Sequence, residues 1–146
     1  MSRLRGLAAT ALLLSLTGCL SVTANRGEPC PAGEDRRQIA ELILGRNIGQ
    51  SLGVSEADFT RFLDEEVSPR FPDGLTVSDG QGRWRYKGEV FKEPGKRLTL
   101  ILAGPDDRRK IGEIAAAYET RFHQDAVLSM IHSACVSFWL PKDRAK

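Results

Sequence analysis

Several arginines, one asparagine and one tryptophan stand in segments that the sequence predicts to be loops or hairpin ends, where binding sites usually lie. A guanidinium group forms paired hydrogen bonds with a carboxylate or phosphate, and a tryptophan ring offers a stacking face. Together these side chains suit an anionic or aromatic ligand. The alternative is a solvated rim with the tryptophan as a packing anchor. The set comprises Arg46, Asn47, Arg70, Arg83, Trp84 and Arg85.

Glu41 is a seventh candidate of a different kind, because it lies within a predicted interior strand. A partly buried carboxylate there could act as a general base, or it could pair with an arginine across the sheet. His123 and His132 have no partner at a recognisable catalytic spacing, and two histidines alone make a poor metal site. The glycine-spaced loop at 45–53 matches neither nucleotide-binding fingerprint. The sequence therefore indicates no metal, no cofactor and no catalytic residue.

The first 19 residues carry the clearest chemical signal. Arg3 and Arg5 precede an apolar run of ten residues, which is about half the length of a membrane-spanning helix and typical of an export signal. Residues 16–19, Leu-Thr-Gly-Cys, resemble the bacterial lipobox at all four positions. The resemblance implies cleavage before Cys19, a diacylglycerol thioether on its sulfur and a further acyl chain such as palmitate. Two or more acyl chains anchor a protein stably in a bilayer.

Cleavage also changes the charge of the chain. The formal net charge is +2, and it falls to zero when Arg3 and Arg5 are removed with the signal peptide. A neutral domain has no electrostatic basis for binding nucleic acid. Leu20 stands where an aspartate would retain a lipoprotein in the inner membrane of enteric bacteria. We therefore expect a lipoprotein anchored to the outer membrane and facing the periplasm.

Two cysteines remain once Cys19 carries lipid, and the periplasm is an oxidising compartment. An even number of thiols in an exported protein indicates a disulfide, so Cys30 and Cys135 are predicted to pair. The alternative is that Cys135 is a small buried residue and Cys30 an unpaired thiol in a linker.

The mature chain of 128 residues is long enough for one domain. We predict a signal peptide at 1–18, a lipidated cysteine and flexible tether at 19–35, a single α+β domain at 36–141 and a polar tail at 142–146. The tether is rich in small and polar residues, glycine and proline, and it shows no apolar periodicity.

The apolar pattern predicts the elements of this domain. A strand is expected at 37–45, followed by a helix that Ser55 caps together with Asp58. Turn residues at 72–74, 79–82, 87–88 and 94–95 indicate a β-meander of short pieces, and residues 97–103 alternate as a strand. A second helix begins after Pro105 and ends near His123, and extended pieces follow at 126–131 and 135–140.

The resulting order, β-α-β-β-α-β, is typical of a ferredoxin-like fold with two helices on one face of an antiparallel sheet. Its other face would then be apolar, which marks an interface or a groove. Three alternatives are open: the 79–95 meander covers this face, a homodimer forms through it, or it holds a ligand. The candidate interface residues are Ile39, Ile43, Ile101 and Trp139.

The phrases ELILGRNIG, PRFPDGLTV and ACVSF, with the leucine-rich strand between them, resemble the bacterial domain of unknown function 3574 family over residues 41–138. The resemblance implies a short exported protein or lipoprotein, and it brings no activity, cofactor or catalytic residue.

We therefore expect a lipid-anchored protein of the cell envelope that acts as a binding or interaction module. Its partners would be the membrane, through the lipid on Cys19, and a second copy or another envelope protein. The alternative is a small enzyme that acts on a small organic anion at the open sheet face.

Overall fold

The structure, a computed structural model, describes residues 28–139. Cys19, the signal peptide and the polar tail lie outside the described residues. No helix in the described part combines the length and apolar character needed to cross a membrane.

Four long strands form one antiparallel sheet. They are β1 (Asp35–Gly45), β4 (Thr76–Tyr86), β5 (Glu89–Leu102) and β6 (Leu128–Val136), and their order across the sheet is β4-β5-β1-β6. β1 therefore lies between β5 and β6, which explains why both of its faces are apolar in sequence. Two short strands, β2 (Asn47–Ile48) and β3 (Ser51–Leu52), form a small separate hairpin after β1.

Two helices connect these strands. α1 (Glu56–Phe62) begins as predicted, since the Ser55 hydroxyl accepts a hydrogen bond from the Asp58 amide at 3.1 Å. It continues as a π-helical segment, Leu63–Val67. α2 (Asp107–Phe122) ends where His123 adopts the left-handed conformation at φ 52°.

The core lies between the helices and one face of the sheet. Alternate residues of β1 and β5 point to this face, and both helices contribute their apolar stripes to the same cluster. Three aromatic rings join the helices, with Phe62 lying edge-on to Tyr118 at 5.0 Å between centroids and Phe122 beside both. The α+β class with two helices and an antiparallel sheet is therefore confirmed.

We call the other side of the sheet the open face. It carries the residues of β1 that alternate with the core set, together with their partners on β5 and β6. Its members include Ile39, Glu41, Ile43, Thr99, Ile101, Leu128, Met130 and His132.

The predicted β-meander is wrong, because β4 and β5 form one long hairpin. Residues 79–82 and 94–95, which were expected to turn, lie inside these strands. Gly80 and Gly82 face Gly95 and Glu93 across the pair. The actual turn is at Lys87 and Gly88, whose φ angles of 48° and 87° suit a tight two-residue hairpin.

The two extended pieces predicted near the end of the domain are one strand, β6. Its register places Ile131 opposite Ala40, so Ile131 packs against the core. Val136 lies opposite Asp35 at the end of the strand. The extended piece expected at 135–140 is therefore wrong beyond Val136, and Phe138 and Trp139 follow the strand as exposed residues.

The predicted disulfide is confirmed. Cys30 and Cys135 are bonded with 5.6 Å between their Cα atoms and 105 residues between them in sequence. Since Cys135 lies opposite Arg36 near the start of β1, the bond fixes the incoming chain to the Asp35 end of the sheet. We call the opposite end of the sheet, where β1 finishes, the Gly45 end.

Candidate functional site

A cleft of about 610 Å³ opens at the Gly45 end of the sheet. Three segments surround it: the β2–β3 hairpin, the outer part of the β4–β5 hairpin and the loop that follows α2. Its lining is mixed, because aromatic rings stand beside a carboxylate, an imidazole and an amide. The side chains that define this cleft are Trp84, Phe91, Glu93, His123 and Gln124.

Two aromatic rings form one wall of the cleft. Trp84 and Phe91 are cross-strand partners near the tip of the long hairpin, so their side chains lie on the same face. Their rings are stacked, with 4.7 Å between centroids and 17° between planes. Trp84 is 46% exposed. The β-hairpin thus presents a large aromatic surface of the kind that binds planar ligands.

Hydrogen bonds fix the polar floor of the cleft. The backbone N–H of Asn47 donates to Glu93 Oε1 at 2.9 Å, and Gln124 Nε2 donates to the backbone carbonyl of Asn47 at 2.7 Å. Gly45 makes this arrangement fit, because a Cβ atom there would lie 2.5 Å from Glu93 Oε1. The floor therefore holds a carboxylate and an amide in place before any ligand arrives.

Further polar groups surround this floor. The loop after α2 adds Asp125 and the imidazole of His123, whereas Lys92 alternates with Glu93 along β5 and points to the opposite side of the hairpin. The left-handed backbone of His123 ends α2 and directs the chain into the loop that lines the cleft. The cleft can accept and donate hydrogen bonds while a ring stacks on its aromatic wall.

A charged cluster lies behind the cleft on the helix side of the sheet. Arg46 and Lys96 are buried; Arg46 contacts Glu56 at 2.5 Å, and Lys96 contacts Glu56 at 2.9 Å and Asp79 at 2.5 Å. The hydrogen bond from Lys96 lowers the pKa values of both carboxyls, and the Asp79 carboxylate raises the pKa of Lys96. Arg46 also donates to the Val54 carbonyl. Each of the two buried cations therefore has at least one carboxylate partner.

Tyr118 links α2 to the Gly45 end of β1. Its hydroxyl donates to the Gly45 carbonyl at 2.7 Å, and burial raises the pKa of the phenol. This bond holds the end of β1, and with it the cleft floor, against α2.

The seven candidate ligand residues are not assembled into one site. Asn47 and Trp84 line the cleft, whereas Arg46 belongs to the buried cluster. Arg70 pairs with Glu66 at 2.8 Å and connects the π-helical segment to α2 through Glu113 at 3.5 Å. The three remaining residues, Glu41, Arg83 and Arg85, do not line the cleft.

Glu41 lies on the open face opposite Thr99 and Met130. Within residues 28–139 no cation lies within ion-pair distance of its carboxylate, so the predicted alternative of an arginine partner is not seen. Arg85 neighbours Trp84 on β4 but points to the opposite side of the hairpin.

Three of the four candidate interface residues share the open face. Ile39 pairs directly with Ile101, and Ile43 lies two residues further along β1. Trp139 is separate from them, because it follows β6 at the Asp35 end and is 95% exposed. Leu128 and Met130 are exposed on the same face as the isoleucines.

Sequence reasoning missed most of the cleft. Phe91, Glu93 and Gln124 are brought together by the length of the β4–β5 hairpin and by the turn after α2. One signal was available: Trp84 and Phe91 flank Lys87-Gly88 symmetrically, as cross-strand partners in a tight hairpin must. Among residues 28–139, no three histidine, cysteine or acidic side chains are grouped as a metal site would require.

The fold and the cleft define a small α+β domain with a candidate site for a small ligand. Residues 39–138 match the model of the family described as protein of unknown function DUF3574, and the chain belongs to that family. The match confirms the family expected from the sequence. Among curated proteins, none matches the chain significantly.

Solved structures resemble the fold at low sequence identity. A phage SAM lyase in complex with S-methyl-5′-thioadenosine aligns with a TM-score of 0.55 and 15% identity, over 78% of this chain and 98% of that chain. CutA from Synechococcus elongatus aligns with a TM-score of 0.46 and 6% identity, over 68% of this chain and 78% of that chain. At such identities the first likeness shows the fold alone.

Proposed function

We propose that this protein is a lipid-anchored binding module of the bacterial cell envelope that holds a small molecule in the cleft at the Gly45 end. The observation that carries the proposal is the stacked pair of Trp84 and Phe91 beside a polar floor that is already fixed by hydrogen bonds. Binding sites commonly combine an apolar wall with a few well-placed polar groups.

The anchor and the compartment rest on the sequence. The export signal and the lipobox at Cys19 favour a lipoprotein, and Leu20 favours the outer membrane over the inner membrane. The Cys30–Cys135 bond supports an oxidising compartment such as the periplasm. The strand order β4-β5-β1-β6 supports the ferredoxin-like arrangement of the anchored domain.

The cleft suggests the class of ligand. A planar ring would stack on the exposed indole of Trp84, and polar substituents would reach Glu93 and Gln124. Because the lining contains carboxylates, an amide and an imidazole, a neutral heterocycle that can donate hydrogen bonds suits it better than a strongly charged anion.

The alternative function, an enzyme acting on a small organic anion at the open face, lacks an observation in its favour. An enzyme of this kind would need a carboxylate such as Glu41 and a cation such as Arg46 to contact the same ligand. Glu41 is on the open face, whereas Arg46 is held among Val54 and Glu56 on the helix side.

Ligand binding is tested with the purified mature protein, a panel of aromatic and heterocyclic metabolites, and a thermal-shift screen followed by titration calorimetry. We expect a compound of this class to bind, and Trp84→Leu to weaken its binding about tenfold, which corresponds to ~1.4 kcal/mol. Trp139→Leu is the matched control, because it removes an equally large exposed indole from the other end of the domain.

The two variants make the result unambiguous. Equal affinities for Trp84→Leu and the unchanged protein would show that the bound compound does not use the cleft. A loss confined to Trp139→Leu would place the site at the Asp35 end instead.

A further inference from the structure

Two large aromatic side chains are exposed at the Asp35 end of the domain. Phe138 is 75% exposed and Trp139 is 95% exposed, and they follow β6 directly. Neither side chain belongs to the core or lines the cleft. Adjacent exposed aromatic rings commonly mark a contact surface.

The disulfide places these rings near the lipid anchor. Cys30 is bonded to Cys135, which precedes Trp139 by only four residues. Ten residues lie between Cys19 and Cys30, and a tether of that length, if flexible as its sequence predicts, has an r.m.s. reach of roughly 15 to 20 Å. A bilayer that holds the lipid on Cys19 would therefore lie within a short distance of Phe138 and Trp139.

Charges of both signs lie near these rings, since Glu28, Glu34 and Asp35 are close in sequence to two arginines. Arg36 and Arg37 lie opposite Cys135 and Ala134. Arg36 donates to the Glu28 carbonyl, and Arg37 pairs with Asp35 at 3.1 Å. Outside the described residues, the last five positions of the chain add three cations and one acidic side chain: Lys142, Arg144, Lys146 and Asp143. Because these charges nearly balance, the aromatic rings rather than the charges would carry a contact with a bilayer.

We propose that the Asp35 end is a membrane-contact surface, on which Phe138 and Trp139 enter the headgroup region of the bilayer that holds the lipid of Cys19. Tryptophan favours this region, since its ring is apolar and its N–H can reach water or a headgroup. The inference rests on the proposed lipid anchor and adds a second contact, which would orient the domain.

The orientation has a consequence for the cleft. The 11 residues of β1 run from the Asp35 end to the Gly45 end, and a strand of this length spans roughly 35 Å. With Trp139 at the bilayer, the cleft would open well above the headgroups, accessible to molecules in the periplasm.

The two tryptophans of the chain provide the test. Mature protein, expressed in bacteria from the full-length sequence and purified in detergent, is reconstituted into vesicles of phosphatidylethanolamine and phosphatidylglycerol, with and without brominated acyl chains that quench indole fluorescence. Trp84→Phe leaves Trp139 as the reporter, and Trp139→Phe leaves Trp84 as the matched control. We expect brominated lipid to quench Trp139 at least twofold and to leave Trp84 within 10% of its unquenched intensity.

Flotation of the same vesicles separates the two proposals. If the protein does not float with lipid, the anchor at Cys19 is refuted and the membrane-contact surface with it. If it floats but Trp139 is quenched no more than Trp84, the anchor stands and the contact surface is refuted. Shielding of Trp139 from aqueous acrylamide without quenching by brominated lipid would also refute it, because a protein surface would then cover the ring.

Discussion

Replacing Cys30 and Cys135 with serine should destabilise the domain by about 2 to 5 kcal/mol. The bond links residues 105 apart in sequence, so its removal frees a long loop in the unfolded chain. For a loop of about 100 residues the chain-entropy model gives about 4.7 kcal/mol, and measured losses in small exported domains span the range we expect. The loss should appear as a lower midpoint of urea unfolding.

The assay is urea unfolding of the oxidised protein, the reduced protein and three variants. Either Cys30→Ser or Cys135→Ser alone breaks the bond, so each single variant and the double variant should have the same unfolding free energy. A serine at position 135 fits its site, because Cys135 is exposed. The reduced wild-type protein should match them. If the double variant unfolds at the midpoint of the oxidised wild-type protein, the bond contributes nothing and the reasoning fails.

Three further changes test the packing. Asp107→Asn should cost about 1 to 3 kcal/mol at pH 7 by urea unfolding, because Asp107 accepts from two backbone amides and a lysine. These bonds lower its pKa, so wild-type stability should fall below pH 4 while the variant changes less. Tyr118→Phe should cost about 1 kcal/mol. Since burial raises the pKa of Tyr118, wild-type stability should fall above pH 10 more steeply than that of the variant. Gly45→Ala should displace Glu93 and speed amide exchange at Asn47, as NMR would detect. An unchanged unfolding free energy in Asp107→Asn or Tyr118→Phe, or unchanged amide exchange at Asn47 in Gly45→Ala, would contradict the corresponding argument.

The helices could be predicted because their signals are local. Ser55 and Asp58 are three residues apart, and the cap they form needs no distant partner. The end of α2 at His123 likewise follows from an apolar stripe that stops at Phe122. The alternation of Leu98, Leu100 and Leu102 identified the core face of β5 for the same reason.

The long hairpin could not be predicted from its glycines. Gly80, Gly82 and Gly95 were expected at turns, but they lie within the strands, where Gly80 is opposite Gly95 and Gly82 is opposite Glu93. Gly74 and Gly88, each with a positive φ, perform the expected role. The sequence does not reveal whether a glycine lies in a turn or inside a strand, because the register of strand pairing determines where the turn falls.

The candidate site was predicted in part, and the arginines show why. Arg46 lies in a short connection and would normally be exposed, yet it is buried beside Glu56 and in the same cluster as Lys96, which is 50 residues away in sequence. Only the fold brings such charges together, so their pairing has no local signature. Trp84 could be singled out because a tryptophan ring offers a stacking face and its segment is a predicted hairpin end, where binding sites usually lie.

The two exposed tryptophans lie at opposite ends of one sheet, and this placement relates the anchor to the cleft. The disulfide ties the tether to the Asp35 end, while Tyr118 holds the Gly45 end of β1 against α2. A flexible tether alone would let the cleft face the bilayer as often as the periplasm. A second contact through Trp139 would remove that freedom, and binding at the cleft would then need no reorientation of the domain. The orientation therefore predicts that Trp139→Leu lowers access of a large, membrane-impermeant ligand to the cleft of the anchored protein, while leaving binding to the detergent-solubilised protein unchanged.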